Sequence, residues 1–308
     1  MKTSVVISTY NGEKYLKPQL ESIRKQTVQP DEVLIKDDRS TDNTVNLVKK
    51  FIQENNLKNW KIIINQRNLG WRHNFMEALW QSSGDIVFFC DQDDIWRNDK
   101  LSIMIRIMKA HPEINLLTSN YREFYENGKQ KIGPWANDRI LKKVELKKNY
   151  LLVKSPGCTH CIRRKLIDLS KKYWQADYAH DALMWRLALF SGSLYTYTDT
   201  LIDWRKHNSS TFAKESRDLK TIAEKKKWIK IAECFQLTLK SFLANDVKKQ
   251  PIKAWKVLNC NDQWLNTRNH FYQAKNIFTG IKLAFYWNCY PRYRQYLGDW
   301  YLIFIKRK

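Results

Sequence analysis

No stretch of the 308-residue chain approaches the ~20 consecutive apolar residues that a helix needs to span a bilayer. The N-terminus carries no charged-then-apolar leader of the secretory type, so the expectation is a cytoplasmic protein. Glycine is scarce, at 9 residues, and neither Gly-x-Gly-x-x-Gly nor Gly-x-x-x-x-Gly-Lys occurs. Loops that cradle phosphates with bare backbone are thereby excluded. The six cysteines supply one C-x-x-C, Cys158 and Cys161, and no second pair to complete a zinc site. These two read as ordinary buried or loop thiols, with a redox dithiol as the alternative. Carboxylates are few as well: 31 Asp and Glu stand against 54 Lys and Arg, a net charge of +23. Such a surplus calls for an acidic partner or surface. It is uneven, since residues 213–308 hold 20 Lys/Arg and 7 Asp/Glu, +13 of the total. Disorder is excluded by 43% hydrophobic residues and 13 tryptophans.

What is present centres on Asp85 to Trp96. Ile86 to Cys90 is a continuous apolar run, the mark of a strand buried on both faces. It ends in three carboxylates, Asp91, Asp93 and Asp94. Side chains alternate along a strand, so Asp91 and Asp93 share a side if the chain stays extended. Hard oxygen ligands at such a place suit Mg²⁺ or Mn²⁺, whose shell is completed by phosphate oxygens and water. The plainer alternative is a solvated turn that caps the next helix.

Strand and helix patterns alternate on either side. Ser4–Ser8 reads as a strand and runs into the Asn11-Gly12 turn, after which Leu16, Leu20 and Ile23 recur at helical spacing. Glu32–Lys36 is a second strand, ending in Asp37 and Asp38 and followed by the polar N-cap cluster Arg39 to Thr44. Lys61–Ile64 is a third strand, Asn68-Leu69-Gly70 a turn and His73–Ser82 a helix. This alternation predicts an α/β fold with a mostly parallel, doubly wound sheet. In such sheets ligands sit beyond the carboxyl ends of the strands. Thr9/Tyr10, Asp37/Asp38 and Asp91/Asp93 would converge there, with a divalent metal in place of a glycine loop.

The segments Ser-Val-Val-Ile-Ser-Thr-Tyr-Asn-Gly, Asp37 to Thr44, Asn68-Leu69-Gly70 and Asp91-Gln92-Asp93-Asp94 resemble, in order and spacing, the family 2 inverting glycosyltransferases of GT-A fold. The Asp-Gln-Asp-Asp-Ile-Trp form is similar to the bacterial rhamnosyltransferase-type members. The resemblance is strongest over residues 3–110 and fades toward 212. It implies that Thr9 and Tyr10 line the base pocket and that Asp38 accepts from the imide N–H of uracil or thymine. It places Asp91 by the ribose or metal and Asp93 on the metal. Asp37 reads equally as a structural carboxylate, and Arg39 stands where many relatives have Gly. The loop Ser155 to Thr159 resembles one that borders the acceptor. Beyond it, Tyr178-Ala-His-Asp-Ala-Leu-Met-Trp185 puts Asp181 at the start of an amphipathic helix. By chemistry alone Asp181 could be an N-cap; by the resemblance it is the general base. His180 would orient it or simply pack. In Asp203-Trp-Arg-Lys-His-Asn208, Arg205 or Lys206 would meet phosphate oxygens and His207 would be a further metal ligand, with a solvated basic turn as the alternative.

Residues 1–212 are therefore expected to form the catalytic domain and 213–308 a basic, aromatic helical extension. The stretch Ile277 to Trp287 is apolar but too short to span, and Tyr and Trp continue to Tyr301. Lys and Arg among these aromatics suit an anionic leaflet, at roughly 1 kcal/mol per basic residue near the surface. The alternative is an element that builds a homo-oligomer. Function follows as sugar transfer from a dTDP- or UDP-sugar, dTDP-L-rhamnose first. The acceptor would be a lipid-linked saccharide for bacterial surface polysaccharide, met at the inner face of the membrane. A nucleotidyltransferase would need a glycine- and basic-rich triphosphate loop that Thr9 to Glu13 does not form. A nucleic-acid-binding protein would find phosphate repelled by the strand-end carboxylates.

Overall fold

The computed structural model describes residues 1–207, 221–247 and 251–306. The chain divides into two compact units. The first comprises Met1–Val144, Lys154–Ala188 and Ser193–Lys206; the second comprises Glu145–Val153, Leu189–Gly192 and His207–Lys308.

In the first unit β1 (Thr3–Thr9), β2 (Glu32–Asp37), β3 (Trp60–Ile64) and β4 (Ile86–Cys90) pair in parallel, in the spatial order β3-β2-β1-β4. The crossovers are α1 (Glu13–Arg24), α2 (Thr44–Glu54) and α3 (Trp71–Gln81). Val5, Ile7, Val33, Ile35 and Phe88 are fully buried against Leu16, Leu20 and Ile23 of α1 and Val48 of α2. Covered faces explain why these strands read as unbroken apolar runs rather than alternating ones.

Beyond β4 the sheet becomes mixed. After β5 (Ile95–Trp96) and α4 (Lys100–Ala110) come β6 (Leu116–Tyr125), β7 (Gln130–Ile132) and β8 (Leu141–Lys143). Then follow β9 (His160–Arg163), α5 (Arg164–Tyr173), α6 (His180–Phe190) and β10 (Leu194–Lys206). β9 inserts antiparallel between β4 and β6, β10 runs parallel to β6, and β5 pairs antiparallel with β10. The doubly wound expectation thus describes β1–β4, while the interposed β9 reverses the direction. β10 shifts register against β6 after Tyr197 and again after Thr200, irregularities of the kind that bend a long strand. All four parallel strands deliver their carboxyl ends to one edge, where the acidic clusters lie.

The second unit is built on α7 (Ile222–Asp246) and α8 (Ile252–Ala274), followed by α9 (Ile277–Ala284) and α10 (Arg294–Trp300). Thr221 opens α7 with a capping box closed by Glu224. Two segments read from sequence as part of residues 1–212 belong here, and one is pinned by hydrogen bonds: Tyr150 Oη donates to Gln236 (2.7 Å) and Asn261 Nδ2 to Lys148 O (2.9 Å). At its centre Arg268, 1% exposed, makes paired hydrogen bonds of 2.7 and 2.8 Å to Asp299, which is fully buried. The hydroxyls of Tyr272 and Tyr290 also donate to Asp299, and the guanidinium lies 4.9 Å from the Tyr290 ring centre. Removing one partner of a buried ion pair strands the other. Arg268→Met is expected to destabilise the second unit by about 3–5 kcal/mol, and Arg268→Met with Asp299→Asn by less. Urea unfolding of both variants measures this; equal losses would mean the pair is not coupled.

Candidate active site

At the ends of β1 and β2 the polar residues build the loops before they meet any ligand. Thr9 is buried, and its Oγ1 donates to Asp37 Oδ2 at 2.8 Å. Asp37 also accepts from Ser40 N (2.8 Å) and Ser40 Oγ (2.6 Å), so it serves as a structural carboxylate for the turn into α2. The Asp38 amide donates to Thr9 O, tying the two strand ends together. The Asp38 carboxylate, 2% exposed, accepts from Asn65 Nδ2 (2.9 Å), Leu69 N (2.8 Å) and Gly70 N (2.8 Å). Asp38 therefore folds the Asn68-Leu69-Gly70 turn around itself. Gly70 sits at φ +83°, a conformation that L side chains rarely adopt. Arg39 has φ +63°, and its guanidinium donates to Gln66 O, a long-range contact that holds this left-handed residue.

Tyr10 is 46% exposed, and Gln92 holds its backbone: Tyr10 N donates to Oε1 (2.9 Å) and Nε2 donates to Tyr10 O (3.1 Å). A Cβ on Gly12 would lie 2.3 Å from the same Oε1, so Gly12 makes room for this bridge. The loops after β1 and β4 are thereby fixed to each other.

At the end of β4 three carboxylates crowd together, Asp91 and Asp93 half-buried beside Asp94. Asp94 is fully buried; one of its oxygens accepts from Arg205 N at 3.0 Å and the other has no hydrogen-bond partner. Oxygens of Asp91 and Asp94 and the sulfur of Cys158 lie within 4.8 Å of one another. Burial, then the neighbouring Asp93 and Asp181, pushes Asp91 up to about 7. Burial and the Asp93 and Asp91 charges also raise Asp94 well above the usual carboxylate range. The single buried cation here is Lys100 among the described residues of α4: its Nζ donates to Cys158 O (2.7 Å) and lies 3.8 Å from the Trp96 ring centre. Burial lowers it to about 8. Burial also holds Cys158 and Cys161 well above the usual thiol range, so both are inert protonated thiols at neutral pH.

Asp181 stands in the first turn of α6, its Oδ1 accepting from Ala182 N at 2.7 Å, and its charge reaches Asp91. Gly157 lets it approach the small-residue loop, since a Cβ there would lie 3.0 Å from Asp181 Cβ. His180 packs rather than orients: its ring stacks on Phe75 at 4.0 Å, and neither ring nitrogen has a hydrogen-bond partner. On β10, Arg205 donates from Nε to Asp93 O (2.8 Å), its guanidinium 4.7 Å from the Tyr15 and 4.4 Å from the Phe124 ring centres. Lys206 stacks on Trp204 with its Nζ 3.2 Å from the ring centre. The first unit thus assembles Thr9, Tyr10, Asp38, Asp91, Asp93, Asp181 and Arg205 along one edge. His207, half-buried, falls in the second unit, and no part in this edge is assigned to it.

Residues 4–169 match the family described as glycosyl transferase family 2, which is over half of the chain. The chain belongs to this family. It is 29% identical over 172 residues to the dTDP-rhamnosyl transferase RfbG of Shigella flexneri, covering 54% of this chain and 57% of that protein. It is 26% identical over 192 residues to the GalNAc(5)-diNAcBac-PP-undecaprenol beta-1,3-glucosyltransferase of Campylobacter jejuni, covering 60% and 58%. The matches span between about a fifth and three fifths of the length of these and other curated relatives. Among solved structures, S. aureus TarS with UDP-GlcNAc superposes with a TM-score of 0.65 at 23% identity, over 98% of this chain and 81% of that one. The fold is GT-A.

In this family 2 chain, Gln92, Lys100 and Gly12 act on the site although sequence reasoning assigned them no role. Lys100 had a visible signal: it shares a helical face with Met104 and Met108, which are core residues. Gln92 had none, since a polar residue between aspartates looks like any loop residue. Gln92→Ala is expected to leave thermal stability nearly intact while weakening nucleotide-sugar binding about tenfold, through loss of two hydrogen bonds that fix Tyr10. Calorimetric titration of the donor checks this; unchanged affinity would make Gln92 an ordinary surface residue. For His180, burial lowers the ring to about 4, so the folded state resists a proton that the unfolded chain accepts below about 6.5. Stability is then lost as pH falls from about 6.5 to about 4. His180→Phe should flatten that part of the stability–pH curve; an unchanged slope would show that the acid sensitivity lies elsewhere.

Proposed function

We propose that the chain is an inverting, metal-dependent glycosyltransferase that takes its sugar from a dTDP- or UDP-sugar, dTDP-L-rhamnose first. Its acceptor is a lipid-linked saccharide in bacterial surface polysaccharide synthesis, met at the inner face of the membrane. The observation that carries this is Asp181 standing close enough to raise Asp91 while lying beside the small-residue loop at Gly157. A base beside the acidic end of β4 is what transfer from a diphosphate donor requires. The names of the two curated relatives support the donor nucleotide and the lipid-linked acceptor respectively.

The donor set fits a divalent ion. Oxygens of Asp91 and Asp94 come within 4.8 Å of each other, one buried Asp94 oxygen lacks a partner, Asp93 is a further carboxylate of the same loop, and the repulsion that raises Asp91 is what a dication relieves. When bound, Mg²⁺ or Mn²⁺ would offset the charge of the departing diphosphate. Asp181 takes the proton of the acceptor hydroxyl as its oxygen bonds to the anomeric carbon. The bond from that carbon to the diphosphate oxygen breaks, its electron pair leaving with the nucleoside diphosphate, and the configuration inverts. Tyr10 and the loop held by Asp38 form the base side of the pocket. Arg205, anchored to Asp93 O, keeps its remaining guanidinium nitrogens for phosphate oxygens.

Asp181→Asn is expected to leave donor binding intact while transfer falls by ~10²–10⁴. If donor binding is lost in step with transfer, Asp181 belongs to the nucleotide pocket. Asp93→Ala should abolish transfer and the thermal shift that Mn²⁺ produces with donor. That shift should itself grow from pH 6 to pH 8, because Asp91 must lose its proton, near 7, before it can ligate. A panel of dTDP-, UDP- and GDP-sugars with Mn²⁺ or with EDTA decides the donor, and full turnover in EDTA would reject the metal.

A further inference from the structure

We propose that the exposed apolar face between Ile277 and Ile305, in the second unit, docks in the plane of an anionic lipid leaflet. α9 inverts the usual helix pattern. Its buried residues are Gly280 and Leu283, while Phe278, Ile281 and the following Phe285 and Trp287 face solvent. Phe278 is 80% exposed and Phe285 81%. Leu297 and Ile305 extend the same character along α10 and the helical turn after it.

The helix cannot roll to hide that face. A Cβ on Gly280 would lie 2.5 Å from the Trp300 ring and 2.8 Å from the Phe271 ring, so α9 already touches its support with bare backbone. Tyr296 Oη fixes it further by donating to Gly280 O at 3.2 Å.

The charge around the face has one sign. Lys275, Lys282, Arg292, Arg294 and Lys306 are exposed. From Gln263 to Lys306 the one carboxylate is Asp299, and it is fully buried on Arg268. The exposed surface of this stretch is therefore apolar and cationic together. Two copies of the chain meeting through it about a two-fold axis would set the same five cations against one another. Nucleic acid would match the cations and leave Ile281, Leu297 and Ile305 without a partner. An anionic leaflet matches both, with aromatic and aliphatic side chains at headgroup depth and cations against lipid phosphate. No helix among the described residues is long and apolar enough to cross a membrane, which leaves an in-plane arrangement. The surface deepens the lipid-linked acceptor proposed above and rests on that reading for its purpose, though not for its chemistry.

The test uses the full chain with phosphatidylcholine vesicles, with and without phosphatidylglycerol, at low and high salt. Co-sedimentation is expected with the phosphatidylglycerol vesicles and should weaken as salt screens the cations. Phe278→Glu and Phe285→Glu should each reduce it about tenfold or more, with unchanged thermal unfolding, and Phe278→Leu should retain it. The proposal is overturned if the chain ignores anionic vesicles or binds them equally well with both glutamates. It is overturned in favour of a second copy if sedimentation shows a dimer that these glutamates dissociate, and in favour of nucleic acid if an oligonucleotide displaces the vesicles. Vesicle binding by a chain that takes up no nucleotide sugar would support this surface and reject the glycosyltransfer reading instead.

Discussion

Packing like charges together is costly, and the end of β4 does so with a fully buried Asp94 and the half-buried Asp91 and Asp93 beside it. Burial and mutual repulsion push Asp91 up to about 7 and raise Asp94 as well. Much of the first unit is arranged to contain this. Lys100 is buried behind it, itself pushed down to about 8, and spends its hydrogen bond on a backbone carbonyl rather than on a carboxylate. Arg205 brings a backbone amide to Asp94 and a guanidinium to Asp93 O. These contacts compensate the charge incompletely, which leaves the cluster able to gain from a dication. A fully neutralised cluster would be more stable alone and would have little to offer a metal.

The neighbouring loops are rigid for a related reason. Asp38 collects two backbone amides and the Asn65 amide, Asp37 collects Ser40 and Thr9, and Gln92 bridges both backbone groups of Tyr10. Residues that look like ligand contacts in the sequence are first the scaffold of the loops. This does not remove them from the site. An amide–carboxylate net holds loop backbone in place before the donor arrives, so less ordering entropy is lost on binding.

The fold and the acidic edge were legible because their signals are local. Apolar runs at β1, β2 and β4 end in polar clusters, and helical spacing at Leu16, Leu20 and Ile23 places α1 correctly. The mixed half of the sheet was not legible. β9 is four residues, and its antiparallel insertion between β4 and β6 depends on partners some 75 and 45 residues away in the chain. Tyr121 to Tyr150 hid β7 and β8, three residues each and mostly exposed, with no buried face to impose alternation. Asp181 was marked by its helix-start motif and given a role only by the family resemblance, whereas Gln92 and Gly12 act through a contact that exists only when two loops meet. Side-chain roles made of long-range contact leave no periodicity to read.

The two units handle carboxylates in opposite ways. The first gathers them at one edge, where Asp37 and Asp38 are bound into the loops and one Asp94 oxygen has no hydrogen-bond partner. The second has few, and in the stretch around α9 and α10 its lone carboxylate is withdrawn from the surface. Asp299 is bound to Arg268, Tyr272 and Tyr290 within a box of rings. A buried ion pair is rarely the most stable choice for a core, since apolar residues of the same volume commonly do as well. Here it removes the one negative charge of that stretch, while the neighbouring Phe271 and Trp300 rings support the helix carrying Phe278. The pairing therefore shapes the outside of the unit as much as its interior.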